Sequence, residues 1–252
     1  MLTQERQMRI LKKLEENPFV SVKELMEELH VSRSSVMRDL DALKKEGRLV
    51  RSHGGASRYS VQETLNKAIE RSVREKETIR AEEKQALCRR AAEDLRDDTC
   101  IYLDSGTTVA CMIPYLRNRN LILVTSSVHL IRRLPERFRP EVHLIGGTYD
   151  QKYDMLVGIE CLEQLDRFRF DTALISASGI NPDTGEVTAA DIAIAELKKL
   201  VMKHACQSFL LADTSKLNQR ALISFAKLSD FDAVYLNGKP QENYPDTFRT
   251  AE

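Results

Sequence analysis

Apolar residues recur at helical spacing from the start of the chain. Met8 with Leu11 and Ile10 with Leu14 predict a helix over residues 3–16, opened by Thr3 and stopped at Asn17-Pro18. Phe19-Val20 reads as a short extended piece. Ser21-Val22-Lys23-Glu24 is a capping box, in which a hydroxyl and a carboxylate three residues apart satisfy orphan amides at a helix start. Leu25 and Leu29 behind it predict a second, short helix. His30-Val31 supplies a turn, Ser32 caps again, and Val36, Leu40 and Leu43 mark the buried face of a third helix ending at Gly47. Two helices so closely joined form a helix-turn-helix pattern. Arg48 to Ala56 beyond them is short enough for a two-stranded wing.

The pattern then changes. From Ser60 to Asp98 the chain is charge-dense and free of Pro and Gly, with Leu65, Ile69, Ile79, Leu87, Ala91 and Leu95 at helical intervals, which predicts one or two helices. From Thr99 onward apolar strands alternate with amphipathic segments, the signature of a parallel α/β sheet. The strands expected are Cys100–Leu103, Leu121–Thr125, Glu141–Ile145, Thr172–Ala177, Gln207–Leu211 and Ala233–Leu236. The fold class is therefore α/β, with a winged helix-turn-helix domain over 1–58, a helical linker over 59–81, and a larger α/β domain over 82–237. The stretch 238–252, with Pro240 and Pro245, reads as an irregular tail.

With Val36, Leu40 and Leu43 facing inward, the start of the third helix presents Arg33, Ser34, Ser35, Met37 and Arg38 outward, next to the capping Ser32. A recognition helix offers such residues to a major groove, and Arg51 and His53 on the wing would lie along the phosphate backbone. Arginine serves both guanine edges and phosphates, so the roles of Arg33 and Arg38 stay open between the two. Charge supports the reading. The chain is neutral overall, yet residues 1–58 carry 12 Lys/Arg against 9 Asp/Glu, whereas 59–252 carry 26 against 29. A basic head on a slightly acidic body suits a double-stranded DNA partner for the head and another task for the body.

The body's polar residues gather just after strand ends: Asp104-Ser105-Gly106-Thr107-Thr108, Thr125-Ser126-Ser127, Gly146-Gly147, Ser176-Ala177-Ser178-Gly179 and Asp213-Thr214-Ser215-Lys216. Ligands of open α/β sheets bind at that edge, and a hydroxyl-rich turn running into a helix offers backbone amides to an anion. One such turn is an ordinary cap; five in register favour a pocket. An enzymatic alternative, a sugar-phosphate isomerase with an added head, would have to draw its base from Asp104, Asp191 and Asp213, assisted by Lys198. No Gly-x-Gly-x-x-Gly follows a strand, so a dinucleotide site is not expected. Five cysteines without a Cys-x-x-Cys pair, and His129, His143 and His204 without metal spacing, predict neither metal nor cofactor. Tyr149, Tyr153 and Asp154 sit in a loop read as surface, though placed where it could close over a ligand. No apolar run reaches membrane-spanning length and no signal peptide opens the chain, so a cytoplasmic protein away from membranes is expected.

The chain resembles the DeoR family of bacterial transcription regulators. In the head the matching residues are Glu5-Arg6-Gln7 with Ile10-Leu11, Val20-Ser21-Val22-Lys23-Glu24-Leu25, Val31-Ser32, Arg38-Asp39-Leu40 with Leu43, and Arg51-Ser52-His53-Gly54-Gly55-Ala56. In the body they are Leu103 to Thr108, Val124-Thr125, Leu144 to Gly147, Leu156-Val157-Gly158, Phe170 to Ala173, Ser178-Gly179-Ile180, Lys198 and Leu211 to Lys216. The resemblance implies a body folded like ribose-5-phosphate isomerase and the coenzyme A transferases, and a repressor of carbohydrate genes controlled by a phosphorylated sugar or polyol. It implies that Ser105, Gly106, Thr107, Thr108, Gly146 and Gly147 cradle phosphate, that Asp104, Lys198 and Asp213 face the polyol with Ser126 beside them, and that Lys216 lies near the anion. Two-fold operators and the modest specificity of one small head predict a homodimer or homotetramer. The chain departs from the family pattern at Met37, where an arginine is customary, at Ser126 and Ser176, usually Asn and often Gly, at Asn218, and in lacking a Glu four residues before Lys198.

Overall fold

Ser21 and Glu24 form the capping box that their spacing predicts: Ser21 Oγ accepts from Glu24 N at 3.1 Å, and Glu24 Oε2 accepts from Ser21 N at 2.7 Å. That box opens α2 (Val22–Leu29) in a computed structural model that describes residues 3–17, 19–45, 48–52, 54–58, 72–238 and 247–251. The chain divides into two units between Ile69 and Glu70.

In the first unit α1 (Thr3–Glu16), α2 and α3 (Arg33–Lys45) bury Ile10, Leu14, Leu25, Leu29, Val36, Leu40 and Leu43 together. His30 turns the chain between α2 and α3 in the left-handed conformation, φ 52°. The wing is present as β2 (Leu49–Ser52) and β3 (Gly55–Arg58), and the extended piece at Phe19–Ser21 (β1) pairs with β3 to give an antiparallel sheet of order β1-β3-β2. One long-range pair ties α1 to α3. Asp39 is buried, and Arg6 grips it with two hydrogen bonds, Nε to Oδ2 at 2.5 Å and Nη2 to Oδ1 at 3.0 Å. The helix end at Gly47 lies outside the described residues, as do Pro18, His53 and residues 59–71.

The second unit is built on seven parallel strands in the order β15-β14-β12-β9-β4-β5-β6. These are β4 (Thr99–Leu103), β5 (Leu121–Thr125), β6 (Glu141–Leu144), β9 (Phe170–Ser176), β12 (Ala205–Ala212), β14 (Ala233–Asn237) and β15 (Phe248–Ala251). Successive residues point to opposite faces, so each strand feeds two cores. Ile101, Leu103 and Leu174 pack with Leu87 and Ala91 of α5 (Ala81–Glu93) and Val109 of α6 (Thr107–Ala110). Tyr102, Ala173 and Ile175 pack with Leu165 of α9 (Ile159–Leu165) and Leu197 and Val201 of α10 (Ile192–Lys203). The chain runs β4 to β5 to β6 outward and then returns to place β9 on the other side of β4. The strand order therefore reverses between β4 and β9, and ligands of open α/β sheets bind outside the carboxyl ends at such a place.

Three features correct the sequence expectations. Residues 72–81, expected as linker, belong to the body: Ser72 and Glu75 form a second capping box on α4 (Val73–Glu77), Val73 is buried, and its amide donates to Lys152 O at 3.2 Å. The tail is not irregular throughout, because Phe248–Ala251 adds to the sheet as β15, parallel to β14. A hairpin, β7 (Thr148–Asp150) with β8 (Met155–Val157), and an antiparallel sheet of β10 (Gly179–Asn181), β11 (Glu186–Ala189) and β13 (Ile223–Lys227) were also unforeseen. All of their strands but β13 have three or four residues, too few for alternation to stand out.

Replacing Arg6 by Ala leaves Asp39 buried without its cation, and the head is expected to lose roughly 3 kcal/mol of stability. Urea unfolding of the full chain, with hydrogen exchange resolving the two units, checks this: α3 amides should lose protection while β4 and β9 amides keep theirs.

Candidate functional site

The carboxyl ends of β4 and β9 are held by a buried ion pair. Asp104 follows β4, Ser176 ends β9 and Lys198 projects from α10; Asp104 and Lys198 are both almost wholly buried. All the described bonds to the carboxylate fall on one oxygen. Asp104 Oδ2 accepts from Lys198 Nζ, from Ser176 Oγ, and from Ser176 N at 2.9 Å. Lys198 Nζ also donates to Ser176 O at 3.0 Å. The neighbouring Gly106 is a packing necessity, since a Cβ there would lie 2.3 Å from Ser176 Oγ.

The loop that continues from Asp104 carries a second buried lysine. Lys84 of α5 lies on the same helix face as Leu87, Cys88 and Ala91, and its Nζ donates to Thr107 Oγ1 at 3.1 Å and to Lys76 O at 2.8 Å. No carboxylate among the described residues lies within ion-pair distance of it. Burial pushes its pKa below the ordinary lysine value, Asp213 nearby works the other way, and Lys216 adds to the lowering. Two thiols brace the same loop: Cys88 Sγ donates to Thr108 O at 3.0 Å and Cys111 Sγ to Thr107 O at 3.3 Å. The sequence reading missed Lys84. The signal was a cation on the apolar stripe of an otherwise amphipathic helix.

Other expected site residues divide into two groups. Asp213 and Lys216 come to this end of the sheet, both near enough to Lys84 to act on its charge. Asp213 Oδ1 takes Ser215 N at 2.9 Å and Ser215 Oγ, capping a short 3-10 turn, Thr214–Lys216. Arg80 closes the rim by donating to Thr214 Oγ1 at 2.7 Å. Ser105 and Thr108 are buried in the loop. Ser126 is buried with its hydroxyl 3.4 Å from Tyr102 OH. Gly146 is already engaged elsewhere, because its amide donates to Gln164 Oε1 at 3.1 Å. Asp191 caps α10 through Ala193 N at 2.8 Å. The three carboxylates considered for an isomerase thus hold a lysine, a turn and a helix. Tyr149 OH donates to Asp154 at 2.7 Å, and Arg132 pairs with that carboxylate at 3.0 Å, so this loop is braced from both sides. Among the described residues no group of His, Cys, Asp and Glu could hold a metal, and no helix is long and apolar enough to cross a membrane.

In the head, Ser32, Arg33, Ser34 and Arg38 are exposed at the start of α3, and Ser35 is half-buried. The three serines form a chain, Ser32 Oγ lying 2.9 Å from Ser34 Oγ and 3.1 Å from Ser35 Oγ. Arg38 Nε donates to Ser34 O at 3.2 Å. Met37 and Arg51 are tied to each other: Arg51 Nη2 points at Met37 Sδ at 3.0 Å, Arg51 Nε lies 3.4 Å from Asp41 Oδ1, and Arg51 Nη1 is buried with no partner among the described residues. The pair fastens the wing to α3 instead of standing free. His53 lies outside the described residues.

Residues 6–62 match a DeoR-like helix-turn-helix domain and residues 79–237 match the DeoR C terminal sensor domain. The chain belongs to the DeoR family. It is thus a DNA-binding transcriptional regulator and not an enzyme. Among relatives of this DeoR-family chain, the uncharacterized HTH-type transcriptional regulator FruR of Bacillus subtilis strain 168 is 32% identical, over 91% of this chain and 89% of its own. The HTH-type transcriptional regulator GlpR of Haloferax volcanii is 31% identical over 94% and 91%. The glycerol-3-phosphate regulon repressor of Escherichia coli K12 is 26% identical over 92% and 89%. A solved ribose 5-phosphate isomerase A from Methanocaldococcus jannaschii overlaps 54% of each chain at 19% identity and a TM-score of 0.40.

Gly106→Ala is expected to cost about 1–3 kcal/mol through the clash with Ser176. In a double-mutant cycle read by thermal unfolding, Ser176→Gly should recover most of that loss. Additive effects would show that the two positions do not meet.

Proposed function

We propose that this DeoR-family chain is a repressor of carbohydrate-metabolism genes, working in the cytoplasm as a homo-oligomer on two-fold operator DNA, and released or engaged by a phosphorylated sugar or polyol. Residues 1–58 serve as the DNA-binding head and the body from α4 onward as the sensor. The observation that carries the effector half is Lys84. Among the described residues the buried ammonium is hydrogen-bonded to a hydroxyl and a carbonyl and has no carboxylate in ion-pair contact, and a phosphate beside Thr107 would balance its charge. In this reading Ser105, Gly106, Thr107, Thr108, Lys84 and Lys216 hold the phosphate. Asp104 offers its Oδ1 to a ligand hydroxyl, with Asp213 and Ser126 nearby, while Lys198 holds Asp104 in place. Gly146 and Gly147 shape the pocket wall. The relative named as a glycerol-3-phosphate regulon repressor favours a small phosphorylated polyol among the candidates. At the head, Arg33 and Arg38 with Ser32, Ser34 and Ser35 meet DNA, and Met37 with Arg51 positions the wing, which also carries His53.

Binding a ligand to the folded state alone raises its stability, by about 2.7 kcal/mol at a hundredfold excess over Kd. Thermal unfolding of the full chain with glycerol 3-phosphate and other phosphorylated sugars therefore tests the sensor. A labelled fragment from its own promoter region tests the head. Lys84→Gln or Thr107→Val is expected to weaken the ligand response about tenfold or more, and with Thr107→Val operator affinity without ligand stays unchanged. No sequence-selective retardation of the promoter fragment would refute the regulator, and retained ligand response in both variants would refute this phosphate site.

The pH dependence has a definite sign. Lys84 titrates below the ordinary lysine value because it is buried, and phosphate needs it protonated. Effector affinity should therefore fall as pH rises through that lowered value, beginning below the usual lysine range. In the ligand-free protein the unfolded chain holds more protons at this residue across the same window, so its contribution to stability rises with pH there. Affinity measured by calorimetry in steps from pH 7 upward distinguishes wild type from Lys84→Gln, which should lack the alkaline decline.

A further inference from the structure

The geometry points to Ser72–Ile79 as a strap that effector binding fastens onto the body, so that ligand controls the place where the chain leaves the sensor toward the head. The inference rests on the phosphate site proposed above and adds its means of regulation. Among the described contacts of the strap, three reach different elements of the body. Lys76 O accepts from Lys84 Nζ at 2.8 Å. Val73 N donates to Lys152 O in the β7–β8 hairpin at 3.2 Å. Glu77 pairs with Arg133, which follows α8 (Val128–Ile131). The strap's helix, α4, has five residues, and a helix so short does not persist without tertiary contacts.

Lys84 joins the strap to the ligand site. Its ammonium has three donors, two of which have acceptors among the described residues, one in the strap and one at Thr107. The third is left for a phosphate oxygen. The Lys76 carbonyl and the Thr107 hydroxyl together hold Nζ beside the loop; opening the strap removes one of them. A phosphate therefore binds the fastened state better than the open one, and by linkage its binding shifts the population toward the fastened state. The anion also keeps Lys84 protonated, which strengthens its bond to the strap carbonyl. In chain order the strap is the first described element of the body after the head.

Hydrogen exchange of the full chain tests this, with inorganic phosphate and glycerol 3-phosphate as probes. Expected with either probe is slower exchange at residues 105–110 together with at least about threefold slower exchange at 72–79. In the free protein, Lys84→Gln should speed exchange at 72–79 while α5 amides from Leu87 to Ala92 stay protected. Glu77→Gln, which removes the ion pair with Arg133, should loosen the same segment and weaken phosphate binding a few-fold; it also serves if Lys84→Gln fails to fold. Protection at 105–110 with 72–79 unchanged or faster overturns the strap and leaves the effector site standing. Unchanged exchange at 72–79 in both free variants overturns it without reference to any ligand. No protection at 105–110 with either probe removes the phosphate site and the strap with it.

Discussion

Everything at the carboxyl edge of the sheet is arranged around one buried charge pair, Lys198 with Asp104. Two ions taken out of water hold together only when their remaining hydrogen bonds are met. Here Ser176 meets them, giving its amide and hydroxyl to the carboxylate and its carbonyl to the ammonium. Because Asp104 follows β4 while Ser176 ends β9 and Lys198 lies on α10, the pair fixes these three elements where the strand order reverses. The loop from Ser105 to Thr108 then has little freedom: Gly106 lies against Ser176, and the thiols of Cys88 and Cys111 hold the carbonyls of Thr108 and Thr107.

Two buried lysines beside this stretch of chain differ for a simple reason. Lys198 has a carboxylate in contact and is electrostatically complete. Lys84 has neutral oxygens, and burial lowers its pKa. The first is a structural rivet, whereas the second is an invitation to an anion. A similar division exists in the head, where Arg51 is tied to Asp41 and Met37 while Arg33 and Arg38 remain at the surface.

Much of this was legible in the sequence, for local reasons. Ser21 and Glu24 are three residues apart, so their box is written in a four-residue window, and the β4, β5, β9, β12 and β14 strands are apolar runs long enough to stand out. What escaped depends on partners far along the chain. Lys84 looks like one more charge in a charged segment until α5 is laid on the sheet. The strand at Phe248–Ala251 exists because β14 offers it an edge, and its four residues carry no periodic signal of their own. Likewise the strap was read as linker, since Val73, its buried anchor, meets Lys152 some eighty positions later. The contact between Arg51 and Met37 spans fourteen residues and joins the wing to α3, which no local pattern announces.

The close approach of Gly106 to Ser176 also constrains how this pocket can evolve. With a serine on β9, position 106 admits no side chain, and any larger residue there is eliminated for stability before its effect on ligand choice can be selected. Once position 176 loses its hydroxymethyl group, the loop becomes free to vary, but Asp104 then gives up one of the donors that hold it. The two sites are therefore epistatic, and new effector specificity along this loop is reached in one order of substitution and blocked in the other.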